Sequence, residues 1–364
     1  MLFAINQNFL TNNKYSKLSF KGKNDDSYID TSYSADKFIK DVEKTVETQK
    51  KGNFFSRYIW STTAFTAGIL TILPYEFYNL YKMNKLKKAG QTELLQAAGK
   101  SFKKVFPWVV VGALALYAGL EYIFSRNFDK KYEKLKQDFK KINTSTDAKL
   151  VDYTMSSSVM GALCSPISGQ VVINRNMLND PISRRRVIKL IRHELVHAKQ
   201  YETIACSENG IKKLNYAVAL SSAKAVDTPQ GRVEVAKVYE DIMNDKTGKY
   251  DNKVLSIVGA DVNMKDYIVA LNTIFNKKDC TADDIPMLID VQHYEDVRSK
   301  KGKLSPEEER KAEQYYQAQI NYPKTTTWNM LNPFSDYYDN LLEKEAYKES
   351  PNLMTFIRKI CGKQ

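Results

Sequence analysis

The pattern of apolar and polar positions divides the chain into a polar start, two long apolar runs and a region of shorter elements. Residues 1–57 are polar and weakly periodic, which predicts an N-terminal extension without a core of its own. Two uncharged runs follow, Ile59–Tyr75 with 17 residues and Val105–Leu120 with 16. Aromatic residues border both runs, as they do where helices meet a membrane surface. We therefore predict that residues 58–125 form a hydrophobic helical hairpin that spans a membrane.

The lengths of the two runs leave a second interpretation open. A helix needs about 17–25 apolar residues to cross a bilayer, so both runs are at the short end of that range. Gly68, Gly112 and Gly119 would allow two membrane helices to pack closely. The alternative is a helical hairpin that is buried within a soluble protein.

The rest of the chain alternates between short apolar runs and amphipathic segments. Residues 126–149 are expected to form a charged helix and a linker, and residues 150–364 a separate domain. Two strands are predicted over Val159–Leu163 and Gln170–Leu178. One helix is predicted from Ile182 onward. Further helices are predicted over Ile211–Ala225, Gly231–Asn244, Met264–Phe275 and Glu307–Ile320. The predicted fold class is α+β, a mostly helical domain with a small sheet, preceded by the hydrophobic hairpin.

The net charge of +13 is concentrated around the hairpin. Residues 58–149 carry 15 basic and 7 acidic side chains, whereas residues 150–364 carry 30 and 28. Basic residues beside apolar runs are typical of contact with an anionic membrane surface, and we expect no nucleic acid as a partner. The segment between the runs holds seven lysines and the outer flanks hold twelve basic residues. This bias predicts that the outer flanks, and the domain over residues 150–364 with them, lie on the cytoplasmic side of the membrane.

One short segment carries the residue types that metal-dependent hydrolysis needs. The chain has only three histidines, and two of them, His193 and His197, stand four residues apart with Glu194 directly after the first. The apolar spacing around them predicts a helix, on which residues four apart project from the same face. Two such imidazoles can bind one zinc ion, and Glu194 is then placed to act as general base toward a water molecule. The alternative is two surface histidines on an amphipathic helix.

A catalytic zinc ion needs a third protein ligand, and the C-terminal segment 339–349 offers acidic candidates. Together with the paired histidines, its Glu343-Lys-Glu-Ala346 sequence resembles the gluzincin group of zinc metallopeptidases. The resemblance implies a zincin-like domain with Glu343 as the third ligand. Glu345, about 200° away around the helix, is the alternative ligand. Position 347 is Tyr, where many gluzincins have an acidic residue that orients a zinc-binding histidine. His293 is a further candidate ligand that no spacing supports.

Two more expectations follow from the resemblance. A hydrophobic hairpin ahead of such a domain is similar in layout to the membrane-anchored HtpX-like and CAAX-processing peptidases, although Tyr347 and the lack of later apolar spans depart from them. In related zincins an edge strand upstream of the active helix binds the substrate as an added strand. The candidates here are Val171, Val172, Ile173 and Asn174. An ordinary core strand is the alternative for them.

The sequence thus predicts a membrane-anchored zinc metallopeptidase, a hydrolase that binds one Zn²⁺ per chain. Its expected partners are a protein or peptide substrate and, through the hairpin, membrane lipids. None of the four cysteines forms a Cys-x-x-Cys pair, so a cysteine zinc site and a disulfide framework are not expected. The alternative from another class is a non-enzymatic membrane tether or scaffold, in which the His-Glu-x-x-His sequence is fortuitous or degenerate.

Overall fold

Two long helices that pack side by side begin the described part of the chain. The computed structural model describes residues 62–153, 161–174, 177–178, 181–244, 254–257, 260–323 and 327–362. Helix α1 is Thr62–Lys88 and helix α2 is Thr92–Ser125, with a short turn between them in which Gly90 has a φ of +67°. Tyr75 of α1 stacks on Phe102 of α2, with ring centroids 5.8 Å apart. The two helices therefore form a hairpin, while the predicted extension 1–57 lies outside the described residues.

Among the described residues, one helical segment has the length and composition of a membrane span. It is Thr92–Phe124 in α2, and only 11% of its apolar window is buried. Large side chains such as Trp108 and Leu114 are exposed along it. The described part of the first apolar run lies in α1, which does not meet the same test. The prediction of two spans is thus supported for the second run only, and residues 59–61 of the first run lie outside the described residues.

Helix α3, Phe128–Ile142, connects the hairpin to the rest of the molecule. Its buried residues are spaced by four, three and four positions, which places them on one face of a helix whose other face is charged. They are Phe128, Tyr132, Leu135 and Phe139. This is the charged amphipathic helix that the pattern predicts, and it joins the main hydrophobic core.

A three-stranded sheet follows, formed by β1 (Leu150–Tyr153), β2 (Ala162–Cys164) and β3 (Val171–Asn174). The strand order is β1-β3-β2, with β3 parallel to β1 and antiparallel to β2. All four residues of β3 are buried. Strand β2 overlaps the predicted strand Val159–Leu163, whose residues 159–160 lie outside the described residues. Strand β3 lies within the predicted Gln170–Leu178, whose last two residues are helical instead, and β1 was not predicted. A separate antiparallel pair is formed by β4 (Val254–Ile257) and β5 (Ala260–Asn263).

Helices make up most of the remaining structure, so the broad α+β, mostly helical class is confirmed. They are α4 (Pro181–Arg184), α5 (Val187–Cys206), α6 (Gly210–Val226), α7 (Pro229–Asn244), α8 (Met264–Asn276), α9 (Val291–Lys301), α10 (Pro306–Ile320), α11 (Thr327–Leu331), α12 (Leu341–Glu349) and α13 (Leu353–Ile360), with 3₁₀ turns at Ala282–Asp284 and Asp336–Asp339. The predicted start of α10 is confirmed, because Ser305 and Glu308 form a capping box around Pro306. The helix predicted from Ile182 onward is instead broken into α4 and α5 at a turn over residues 185–186.

Helix α5 lies at the centre of this arrangement. It packs against β2 and β3 and against the helices α6, α9, α10 and α12. Since these neighbours come from sequence positions up to about 150 residues away, α5 is the element at which the distant parts of the domain meet. A side chain on α5 can therefore contact groups from both ends of the domain.

Candidate metal centre

Helix α5 buries both histidines of the motif because most of its circumference is covered. Val187, Ile191 and Ala198 recur at spacings of four and seven residues and are at most 1% exposed. His193 and His197 are 6% and 5% exposed, and their ring centroids lie 4.9 Å apart. The two imidazoles thus face the interior together, which is contrary to the alternative of two surface histidines.

Helix α12 brings a carboxylate to the same place. Its first turn is fixed by Asn340, whose side chain accepts a hydrogen bond from the Leu342 amide. Leu342 and Ala346 are fully buried on one face and attach the helix to the core. Glu343 lies beside Leu342 on this buried face and is only 1% exposed.

The three side chains converge at one point. Nε2 of His193 lies 3.2 Å from Nε2 of His197, and the Glu343 oxygens Oε2 and Oε1 lie 3.3 Å and 3.4 Å from those two nitrogens respectively. Three ligand atoms at 2.0–2.1 Å from a tetrahedral zinc ion would be about 3.3 Å from one another. Oε2 of Glu343 is buried and, among the described residues, has no hydrogen-bond donor. This buried group could bind a metal ion, because each of the two nitrogens has a Glu343 oxygen at about that spacing.

The electrostatics of the three side chains also favour a cation between them. Burial raises the pKa of Glu343, but the neighbouring His197 and His193 outweigh it and hold the pKa well below its usual range. Burial lowers the pKa of His197, but the Glu343 carboxylate more than compensates and raises it to about 9. In the absence of a metal ion, a proton on His197 therefore supplies the positive charge that the buried carboxylate requires.

Glu194 lies on the same helix turn and is held by the sheet. Its Oε2 accepts a hydrogen bond from the backbone N–H of Cys164 in β2, at 2.7 Å. Burial raises the pKa of Glu194, and the two motif histidines only partly reverse this rise. A carboxylate with a raised pKa takes up a proton more readily near neutral pH, which is the property that a general base needs.

His197 is oriented by a residue that the sequence analysis missed. Its Nδ1 lies 2.9 Å from Oε1 of Gln200, and Nε2 of Gln200 donates to the Leu342 carbonyl at 3.1 Å and to Glu345 at 3.3 Å. The hydroxyl of Tyr315 donates to the same Glu345 oxygen at 2.5 Å. Glu345 therefore accepts a hydrogen bond from Gln200, which contacts His197, and is not itself part of the ligand group. The signal was available, because Gln200 follows His197 by three residues on one helix face.

Two tyrosines complete the surroundings of the ligands. The hydroxyl of Tyr322 donates a hydrogen bond to Oε1 of Glu343. The ring of Tyr347 packs on His193 with ring centroids 4.4 Å apart. Tyr347 thus occupies the position of the expected acidic residue and restrains a histidine by packing instead of by a carboxylate. No spacing in the sequence indicated Tyr322, which follows a different helix.

His293 is not a member of the ligand group found among the described residues. It lies on α9, where its Nε2 is buried without a hydrogen-bond partner among the described residues, close to Gly169. Burial lowers its pKa, which favours the neutral imidazole.

The expectation that Val171, Val172, Ile173 and Asn174 bind the substrate by strand addition is wrong. These residues form β3, which is paired with β1 along one edge and with β2 along the other. A strand with both edges paired has no free N–H and C=O groups for a peptide. The alternative of an ordinary core strand is the one that the structure has.

No protein-family model matches this chain, and neither a curated protein nor a solved structure matches it.

Proposed function

We propose that this chain is a membrane-anchored zinc metallopeptidase. The observation that carries the proposal is the convergence of His193, His197 and Glu343 at ligand spacing, with Glu194 next to His193 on the same helix. Two imidazole nitrogens and one carboxylate oxygen are a donor set that suits zinc, and three protein ligands leave a fourth position for a water molecule.

Each residue near the ligands has a role in this proposal. A bound zinc ion would polarise the scissile carbonyl and lower the pKa of a water molecule to about 7. Glu194 would accept a proton from that water molecule while the water oxygen attacks the carbonyl carbon, and it would give the proton to the amine nitrogen as the C–N bond breaks. Gln200 keeps the Nε2 lone pair of His197 directed at the ligand position, and the hydroxyl of Tyr322 orients the Glu343 carboxylate.

The membrane part of the proposal rests on α2. A core helix of a soluble protein that passes the same length test would be mostly buried, whereas the apolar window of α2 is 11% buried. Exposed apolar side chains over this length require lipid or another protein as a covering. We propose lipid, with the domain on the cytoplasmic side as the flanking charges predict.

Two substitutions and a control test the enzyme. His193→Ala should lower bound zinc from about one ion per chain to none, because a ligand is lost. Glu194→Gln should keep the zinc ion and reduce cleavage of unstructured peptides by about 10²–10⁴-fold, since only the proton acceptor is lost. Zinc is measured by elemental analysis, and cleavage by the release of new α-amino groups.

Glu202→Gln is the matched control, because Glu202 is a buried glutamate on the same helix that contacts Asp147 and none of the ligands. It should leave zinc content and cleavage unchanged. A purified chain without metal, or equal cleavage by the Glu194→Gln variant and the unaltered chain, would contradict the proposal. A purified chain without metal would favour the alternative function, a non-enzymatic membrane tether or scaffold.

A further inference from the structure

The candidate metal centre is almost closed to solvent. Each of the three ligand side chains is at most 6% exposed, and Glu194 is 1% exposed. A substrate peptide must reach the water molecule that Glu194 would activate, and an extended chain is about 5 Å wide. Such low exposure indicates that the ligand position is covered in this conformation. Part of the covering must therefore move before a peptide can be cleaved.

Tyrosines contribute to this covering. The Tyr322 hydroxyl contacts a ligand carboxylate, and the Tyr347 ring packs on a ligand histidine. Tyr337 lies between these two tyrosines, with its ring centroid 6.3 Å from that of Tyr322 and 6.4 Å from that of Tyr347. It is 2% exposed. The 3₁₀ turn Asp336–Asp339, which carries Tyr337, contains none of the ligands.

This turn and helix α11 form one hydrogen-bonded unit. The Tyr338 hydroxyl donates a hydrogen bond to the Met330 carbonyl at 2.5 Å. The Ser335 hydroxyl donates to the Asn329 carbonyl at 2.5 Å. We call residues 327–339 the cover segment, because their internal contacts allow them to move together.

Helix α12 is attached independently of the cover segment. It begins directly after the segment, and its capping residue Asn340 donates a side-chain hydrogen bond to the Ala318 carbonyl of α10 at 2.8 Å. This contact holds the start of α12 while the residues before it change position. The cover segment can therefore shift while the ligand Glu343 stays in place.

Arg358 of helix α13 holds the cover segment. Its guanidinium donates a hydrogen bond to the Pro333 carbonyl at 2.6 Å and forms an ion pair with Asp339. The same guanidinium lies over the ring of Tyr338, 5.8 Å from the ring centroid. Arg358 is 4% exposed, and all three of these contacts are with the cover segment. It therefore connects the cover segment to an element outside the ligand-bearing helices.

Helix α13 is otherwise weakly packed. Within Leu353–Ile360, Arg358 is the one buried residue. The large apolar side chains of Leu353, Phe356 and Ile360 are 65%, 60% and 68% exposed. A segment opens locally at low cost where few apolar side chains are buried. The contacts of Arg358 can therefore break at a lower cost than unfolding of the domain.

We propose that the cover segment keeps the candidate metal centre autoinhibited and that Arg358 is the latch that holds it closed. This inference rests on the proposed function, because it concerns the regulation of the same site. In the closed state the ligands are covered by the tyrosines. In the open state Arg358 has released Pro333 and Asp339, and a peptide reaches the site. The latch thus sets the fraction of molecules that can bind a substrate.

The first test measures how accessible His193 is in the metal-free full chain, in neutral detergent. Diethyl pyrocarbonate modifies the imidazoles that it can reach, and mass spectrometry gives the rate at which His193 is modified. Arg358→Gln and, in a separate variant, Asp339→Asn should raise this rate roughly tenfold, since each removes a charge-assisted contact of the latch.

The second test measures cleavage by the zinc-loaded chain. Both variants should raise kcat/KM for an unstructured peptide, also roughly tenfold, because a larger fraction of the molecules is open. Damage to the fold would lower kcat/KM, so a rise distinguishes a latch from a merely structural arginine. Asp339→Asn keeps the buried guanidinium and its bond to Pro333, and it therefore tests the latch even where Arg358→Gln does not fold.

Arg232→Gln is the matched control. Arg232 also pairs with an aspartate, Asp227, and also lies over an aromatic ring, that of Phe275, but it belongs to α7 and not to the latch. It should leave the modification rate and kcat/KM unchanged. Equal rises in Arg232→Gln, or values for Arg358→Gln and Asp339→Asn equal to those of the unaltered chain, would overturn the proposal.

The modification rate requires neither zinc nor cleavage. A chain that binds no zinc but shows the expected modification rates would support the cover segment and its latch, and would contradict the proposed function alone.

Discussion

At the scale of single residues, the candidate metal centre depends on side chains that are buried and mutually restrained. His193, His197 and Glu343 are at most 6% exposed, so their positions are set by packing. Gln200 adds a directional restraint, because it contacts Nδ1 of His197 and so leaves Nε2 for the ligand position. Residues of this kind bind no metal but typically change its affinity when they are replaced.

Gln200→Leu should reduce zinc affinity by about 10–100-fold, because Nδ1 of His197 loses its partner. Competition with a chelator of known affinity measures the change. Gln319→Leu is the matched control, since Gln319 is also buried but bonds to Ser221 on another helix. Equal zinc affinities for the two variants would remove the orienting role of Gln200.

The metal-free chain should lose stability as the pH rises. The pKa of His197 is raised from 6.5 to about 9 in the folded state, so its contribution is complete below pH 6.5 and disappears as the pH passes through 9. Urea unfolding in the presence of a chelator, at pH values between 6 and 10, measures this loss. A His197→Gln variant should show a smaller loss over the same interval, and an identical loss would contradict the assignment to His197.

At the scale of elements, the centre requires a strand, a long helix and a short helix in fixed contact. The turn that joins β2 to β3 is closed by the Gly169 amide, which donates to the Ser165 carbonyl at 2.8 Å. Gly169 has a φ of +66°, and a Cβ there would lie 2.1 Å from Nε2 of His293. This turn therefore connects the sheet that holds Glu194 to helix α9.

Gly169→Ala should destabilise the fold by about 1–3 kcal/mol, through both the left-handed backbone and the clash with His293. Gly302→Ala is a control for the backbone part alone, because Gly302 has a φ of +73° and no neighbour within 4 Å of its Cβ position. Chemical unfolding should rank Gly169→Ala as the more costly change. The Gly169→Ala change should lower the free energy of unfolding less in a His293→Ala background, where the clash is absent, than in the unaltered chain.

At the scale of the whole molecule, an exposed apolar hairpin is joined to a helical domain by α3. Four buried residues of α3 belong to the core of the domain, so the hairpin is attached through a packed helix and not through a loose linker. The domain and the end of α2 are therefore expected to keep a constant position relative to each other.

The full chain should remain with the membrane after extraction with alkaline carbonate, which releases peripheral proteins. The expected reason is the exposed apolar segment of α2, which is long and apolar enough to cross a bilayer. Immunoblotting of pellet and supernatant gives the result. Complete release of the chain would remove the membrane anchor from the proposal and leave the metal centre untouched.

Short-range patterns determined several features by themselves. The apolar spacing predicted helix α3, and Ser305 with Pro306 predicted the start of α10, because caps and amphipathic faces depend on residues only a few positions apart. The spacing of His193 and His197 similarly placed two imidazoles on one face of a helix. What these signals share is that the interacting groups belong to a single turn or a single helix.

Only the tertiary structure decided how segments far apart in the chain meet. In the folded chain Glu343 belongs to the ligand group and Glu345 hydrogen-bonds to Gln200, although the two glutamates are only two residues apart on one helix. The tertiary structure also pairs β1 with β3, so β3 is the central strand, and β2, whose Cys164 contacts Glu194, is an end strand. The physical reason is that a ligand group and a strand order depend on packing between distant segments, and local spacing contains no information about that packing.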